Sequence, residues 1–214
     1  PDNALRFTAL AACATAIGRG IVAGYRPDIV HAHDWQAGLA VALLHYGGKP
    51  RPHTAMMVHN LAFQGVVSPH LLATIGVPPH AFAIDGVEYH GAIGYLKTGL
   101  ALADRITTMS PSCAAVIRTP EGGMGFDGLL RTRADVLVGI LNGIDESVWN
   151  PATDAHLAAR FDARHRGRRA PNKAALQARC GIVVASAFGR PASEYGRLCH
   201  GDGATRGAGG AGGR

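Results

Sequence analysis

The sequence predicts an α/β protein built on a parallel sheet covered by helices on both faces. Three observations carry that prediction. Short β-branched runs alternate with segments of helical period, the pattern of strand–helix–strand units. Four strand runs each finish in compact polar residues: His33-Asp34, His59-Asn60, Ser110 and Asn142. The 214 residues are 47% hydrophobic and 17% charged, a balance that supports a buried core and excludes wholesale disorder. In parallel sheets, ligands bind at the carboxyl ends of strands. The four polar strand ends, weighed together, therefore mark the expected site.

In order along the chain, residues 3–18 (NALRFTALAACATAIG) have helical spacing and stop at Gly18 and Gly20. Pro27–Ala32 is a short β-branched run and reads as a buried strand. Residues 35–46 (WQAGLAVALLHY) return to helical period and end at Gly47-Gly48. Residues 54–58 (TAMMV) are the second strand. A polar, proline-containing stretch with short helical pieces follows, to about residue 90. Residues 92–103 (AIGYLKTGLALA) read as a helix, and Arg105–Met109 as the third strand. Ser110-Pro111 opens another helix, with serine at the cap and proline at the first helical position. Residues 136–141 (VLVGIL) are the fourth strand, ending at Asn142-Gly143. Residues 183–214 are rich in Gly, Ala and Arg without apolar periodicity. They are expected to be a disordered tail, because they bury too little surface to offset ordering entropy.

Charge is unevenly placed. Residues 1–150 carry ten Lys/Arg against eleven Asp/Glu, whereas residues 151–214 carry eleven against four. The net +6 therefore comes from the last third, chiefly Arg160, Arg164, Arg166, Arg168 and Arg169. That stretch has no interleaved aromatics to stack bases, so it reads as a solvated face and no nucleic-acid partner is expected. The four cysteines are scattered without a C-x-x-C pair, so neither a zinc knuckle nor a disulfide framework is suggested. No apolar run reaches the roughly 18–20 residues of a membrane span, and Pro1-Asp2-Asn3 and the residues that follow do not read as a signal peptide. A cytoplasmic protein with no membrane partner is the expectation; oligomeric state is left open.

The strand ends also carry a family resemblance. His31-Ala32-His33-Asp34-Trp35-Gln36-Ala37-Gly38-Leu39 and Val58-His59-Asn60-Leu61-Ala62-Phe63-Gln64-Gly65 resemble segments of bacterial glycogen synthases and plant starch synthases. So do Tyr95–Leu100, Thr119–Glu121, Gly125–Leu130, Leu141–Asp145 and the Asn172–Gln177 helix, collinear over about residues 5–182. Gln36 and Phe63 depart from the usual His and Tyr. These proteins are ADP-glucose-dependent glucosyltransferases of family five. The resemblance implies a GT-B enzyme, in which two Rossmann-like domains face each other across a cleft. It implies transfer of glucose from ADP-glucose to the non-reducing end of an α-1,4-glucan, with retention. Glycogen and ADP-glucose would be the partners, ADP-glucose being a co-substrate, and no cofactor or metal is implied. Residues 1–160 would be a portion of the amino-terminal catalytic domain, 161–182 the start of an interdomain connection and 183–214 the tail. The chain is expected to be a fragment, inactive by itself, with a tail whose Gly/Ala/Arg composition suggests out-of-frame coding. The alternative is a non-catalytic α-glucan-binding module.

The site expectations join position to resemblance. Asp34 can hydrogen-bond sugar hydroxyls or stabilise an oxocarbenium-like transition state; it could also cap the helix that follows. His59 is placed by the resemblance beside the transferred glucose, against the alternative of a core histidine. These two are the catalytic candidates. Asn60 offers a donor and an acceptor for a vicinal diol, or serves a turn. Asn142 points into the cleft by resemblance, or is a turn residue. Trp35 stacks on a sugar or packs in the core. These three are the substrate-binding candidates. Tyr95 is expected to pack and Lys97 to face solvent. His31 and His33 share one strand face, but spacing assigns no third ligand, so no metal is expected. Gly122-Gly123-Met124-Gly125 lacks the lysine and setting of a phosphate loop and reads as a flexible loop.

Overall fold

The computed structural model describes residues 2–181. The described residues divide into two compact units, one running to Asn142 and the other starting at Gly143. The first unit runs α1 (Asn3–Gly18), β1 (Ile29–His33), α2 (Asp34–Tyr46), β2 (His53–Val58), β3 (Val66–Val67), β4 (Glu88–Tyr89), β5 (Ala92–Gly94), α3 (Tyr95–Leu102), β6 (Arg105–Thr108), α4 (Pro111–Val116), α5 (Asp127–Thr132) and β7 (Leu137–Gly139). Short 3-10 turns at Pro69–Leu71 and Pro79–Ala81 occupy the polar stretch.

The main sheet has the order β1-β2-β6-β7 and every pairing in it is parallel. All four expected strands are present, the last shortened to Leu137–Gly139. Beyond it the Ile140 N–H still donates to the Thr108 carbonyl. The first is not the buried strand expected: β1 lies at the sheet edge, and of its five residues only Ala32 is buried. A small antiparallel sheet, β3-β5-β4, has no counterpart in the sequence expectation. It takes residues 92–94 from the expected helix: Ile93 and Gly94 pair with Val67 and Val66, and α3 starts only at Tyr95.

The core forms two clusters. Met56, Val58, Leu96, Leu100, Ile106, Phe126 and Leu130 fill the space between the sheet, α3 and α5. Leu39, Ala42, Ile75, Val87, Ile93 and Tyr95 form the other, around α1 and α2. Each fully buried large apolar side chain contributes about 1.5–3 kcal/mol. α2 is apolar around most of its circumference, as befits a helix enclosed by neighbours. Gly38 lets it approach α3: a Cβ there would lie 2.1 Å from the Tyr95 carbonyl oxygen.

Two polar devices fix the frame. The Asp104 carboxylate accepts from Arg51 Nη1 and Nη2 at 2.8 Å each, from the Thr54 N–H at 2.7 Å and from Thr54 Oγ1 at 3.1 Å. The bidentate Arg51 partner, foremost, holds this carboxyl well below the usual range. Lys97 corrects the sequence expectation of solvent exposure. It is 6% exposed, and its Nζ donates to the Ile84 carbonyl and, at 2.8 Å, to the Gly86 carbonyl. Burial lowers its pKa, with Glu88 and Asp85 opposing. Lys97 thus anchors the loop before β4. Tyr95 is buried as expected, its hydroxyl 2.9 Å from Thr8 Oγ1.

The second unit contains a 3-10 turn at Arg166–Arg169 and α6 (Ala170–Cys180), closed by Gly181 at φ 64°. Asn172 clamps the backbone of Ala159 in both directions, at 2.6 and 2.8 Å. Arg160, Arg164, Arg166, Arg168 and Arg169 are exposed, consistent with a solvated face. The expected tail at 183–214 lies outside the described residues. Among the described residues, no helix is long and apolar enough to cross a membrane.

Candidate functional site

The parallel register of β1 and β2 pairs Ile29 with His53 and His33 with Met57. The polar residues that follow each strand therefore emerge side by side. Asp34 leaves β1 at φ 54°, a left-handed conformation unusual for a non-glycine residue. That twist accompanies a carboxylate turned away from its own helix. The N-cap of α2 is His33, and it makes no side-chain capping bond. Asp34 Oδ1 accepts the backbone N–H of His59 at 2.8 Å, and Oδ2 lies 2.9 Å from His59 Nδ1. The capping alternative for Asp34 is not what the structure shows.

A carboxylate accepts but does not donate, so the Nδ1 contact selects the His59 tautomer protonated there. In the neutral ring Nε2 is left as an acceptor, and the side chain is 43% exposed. His33 stacks over His59 with ring centroids 5.6 Å apart, and His31 lies 4.4 Å from His33. His31 titrates below an ordinary histidine, because of burial first and then repulsion from His33 and His59.

The remaining predicted residues are distributed around this pair. Asn60 Oδ1 accepts the Ala62 N–H at 2.8 Å, so the residue serves a turn while its amide NH₂ stays available. Trp35 is half-buried, packs edge-on against Phe7 at 4.8 Å and touches both core clusters. Its ring fills the space beside Gly65, where a Cβ would come within 2.3 Å. Core packing is therefore the role the contacts give Trp35. Asn142 is exposed at the end of the β7 segment, on the same sheet edge as His59. It follows Gly139, the last paired residue of β7, by three positions, and β6 separates β7 from β2 in the sheet. Ser110 caps α4, accepting the Cys113 N–H at 2.9 Å.

One contact had no sequence signal. Gln64 Nε2 donates to the Met124 carbonyl at 3.0 Å, tying the segment after His59 to the glycine-rich turn. That turn is itself hydrogen-bonded, Gly123 N–H to Thr119 O and Phe126 N–H to Gly123 O, both at 2.8 Å. It is an ordered turn with two buried glycines rather than a loose loop. The strand ends thus present a carboxylate-held imidazole, a free amide and backbone groups around one open edge. Such a set of hydrogen-bond acceptors and donors suits a polyhydroxyl ligand.

Comparison with known proteins gives a consistent picture. A family model described as "Starch synthase catalytic domain" matches residues 1–132. A glycogen synthase of Rhodopseudomonas palustris (strain BisA53) is 60% identical over 183 residues, 86% of this chain and 37% of the relative. One from Methylocella silvestris is 59% identical over 182 residues, 85% of this chain and 38% of the relative. In structure, the chain is similar to the catalytic domain of starch synthase IV from Arabidopsis thaliana bound to ADP and acarbose. The TM-score is 0.66 at 30% identity, covering 87% of this chain and 39% of that one. The chain thus spans somewhat more than a third of the length of the relatives it matches.

Proposed function

The chain belongs to the starch synthase catalytic-domain family, and on that premise we propose that it supplies the acceptor-side wall of a retaining glucosyltransferase. The reaction is transfer of glucose from ADP-glucose to the non-reducing end of an α-1,4-glucan, in cytoplasmic glycogen biosynthesis. The observation that carries the reading is the Asp34–His59 pair at the carboxyl ends of two adjacent parallel strands. His59, oriented by the carboxylate, offers Nε2 to a sugar hydroxyl. Both Asp34 oxygens are engaged with His59, so Asp34 acts mainly by holding that ring in place. Asn60 presents its NH₂ to a neighbouring hydroxyl, and Asn142 extends the same edge. Trp35 supports the floor through its packing beside Gly65, and the part of its ring left uncovered is offered to a sugar. The plant relative, which holds ADP and acarbose, supports a nucleotide and a glucan-like ligand for this family. Neither a metal nor a cofactor belongs to the proposal.

Sedimentation with glycogen tests the acceptor role. The 214-residue chain should be retained, and His59→Ala and Asp34→Ala should each weaken retention several-fold. Equal retention of both variants would overturn the assignment. Labelled ADP-glucose separates the two readings of the family function. Incorporation into glycogen assigns transfer to these residues alone. Retention without incorporation assigns them acceptor binding, the expected result for a polypeptide spanning about a third of its relatives.

A further inference from the structure

The opposite end of the main sheet holds a second feature. At the amino ends of β1 and β2 lie two adjoining clefts of about 490 and 560 Å³, which share Pro50, Arg51 and His53. Arg19 and Arg26 line the first and Lys49 the second. The first unit is almost electrically balanced, with ten Lys/Arg against nine Asp/Glu. Four of those ten cations border these clefts, so positive charge is concentrated there and not merely sampled from a basic surface.

The partners of these groups decide what the clefts can bind. Arg51 and Asp104 neutralise each other through the bidentate pair. Arg19 spends Nη2 on the carbonyls of Leu44 and Gly48, both at 3.1 Å, which plants the guanidinium and leaves Nε and Nη1 for a ligand. Among the described residues, neither Arg26 nor Lys49 has a carboxylate within 4.0 Å or a side-chain hydrogen bond. Asp28 is the one acidic lining residue without an arginine partner. The balance is three incompletely satisfied cations against one carboxylate, His53 Nδ1 lying 3.7 Å from Asp104 Oδ2. Arginine and lysine donors around a concave surface match a tetrahedral dianion with several acceptor oxygens, and the remaining volume leaves room for the group esterified to it.

We propose that the Arg19–Arg26–Lys49 clefts form a binding site for a phosphate monoester, on the face opposite the glucan-facing strand ends. A phosphorylated sugar and a nucleotide share that chemistry, and the phosphate group is what the site recognises. Occupancy there leaves the Asp34–His59 edge open, so ligand and glucan can bind together.

The test is a titration of the 214-residue chain with inorganic phosphate, followed by calorimetry at constant ionic strength. The expected result is saturable one-site binding that an equal ionic strength of chloride does not reproduce. Arg26→Ala/Lys49→Ala should weaken it about tenfold or more, the cost of losing a hydrogen bond to a charged group. Both side chains are exposed, and Arg51 is left to hold Asp104, so the unfolding midpoint should not move. Arg166→Ala/Arg168→Ala, in the exposed basic segment of the second unit, should bind as the parent does. Absence of saturable binding, unchanged affinity in the first variant, or equal loss in the second would each overturn the proposal. Glucose 6-phosphate and AMP in the same titration then report which source of the monoester is preferred.

Discussion

Asp34 joins backbone strain to ligand recognition, and the two contributions can be separated by the choice of replacement. At φ 54° an L-residue incurs roughly 1 kcal/mol relative to glycine. Against that stand two hydrogen bonds to His59, at 2.8 and 2.9 Å, between partly exposed groups. At about 0.5–1 kcal/mol each they contribute about 1–2 kcal/mol. Asp34→Ala loses the bonds and keeps the strain, so it should destabilise the chain by about 1–2 kcal/mol. Asp34→Gly loses the same bonds but relieves the strain, and should fall within about 1 kcal/mol of the parent. The glycine variant should therefore unfold about 2–4 °C above the alanine variant, although glycine is ordinarily the poorer residue in a helix. Glycogen retention should fall in both, because His59 is no longer held. Thermal unfolding by circular dichroism and glycogen sedimentation on the same preparations measure the two effects. If the variants melt together, the strain is not borne at Asp34. If both retain glycogen, orientation of His59 is not what binds the acceptor.

Two further perturbations test the frame beneath the site. Asp104→Ala should cost about 2–3 kcal/mol at pH 7, a partly exposed version of breaking a buried ion pair. The folded carboxyl is depressed from an ordinary value near 3.8, so its stabilisation is present above that value. The gap between parent and variant should narrow as pH falls below 3.8; urea midpoints at pH 7, 4 and 2.5 follow it, and a gap that widens in acid would contradict the sign. Gly38→Ala should lower the unfolding midpoint by several degrees, since the added methyl group meets the Tyr95 carbonyl at 2.1 Å and must push α2 and α3 apart. Gly128→Ala, where the nearest atom is the far end of the Arg131 side chain at 3.9 Å, is the control that should not.

Strands and helices are legible in the sequence because their signals are local. The runs Val30–Ala32 and Met56–Val58 announce strands by side-chain type, and Ser110-Pro111 announces a helix by capping chemistry. The antiparallel sheet escapes because its strands are two or three residues long, too short for any period to show. Lys97 escapes because its burial depends on two carbonyls, Ile84 and Gly86, supplied by a distant loop. Asp34 and His59 mark the boundary between what is local and what is not. That polar residues end strands is visible in composition, and it singles out both. That they meet depends on a register offset of 24 residues between β1 and β2, set by Ile29 opposite His53 and His33 opposite Met57. Extending that register one residue places Asp34 level with Val58, one step short of His59. An untwisted exit from β1 would continue the extended path. The left-handed turn at Asp34 accompanies a carboxylate directed across to the neighbouring strand end, where it engages the backbone and ring of His59 together. The site is thus a consequence of pairing register plus one unusual dihedral angle. Neither can be read from residue types alone, and this is why residue types leave a helix cap open as the alternative for Asp34 and the fold closes it.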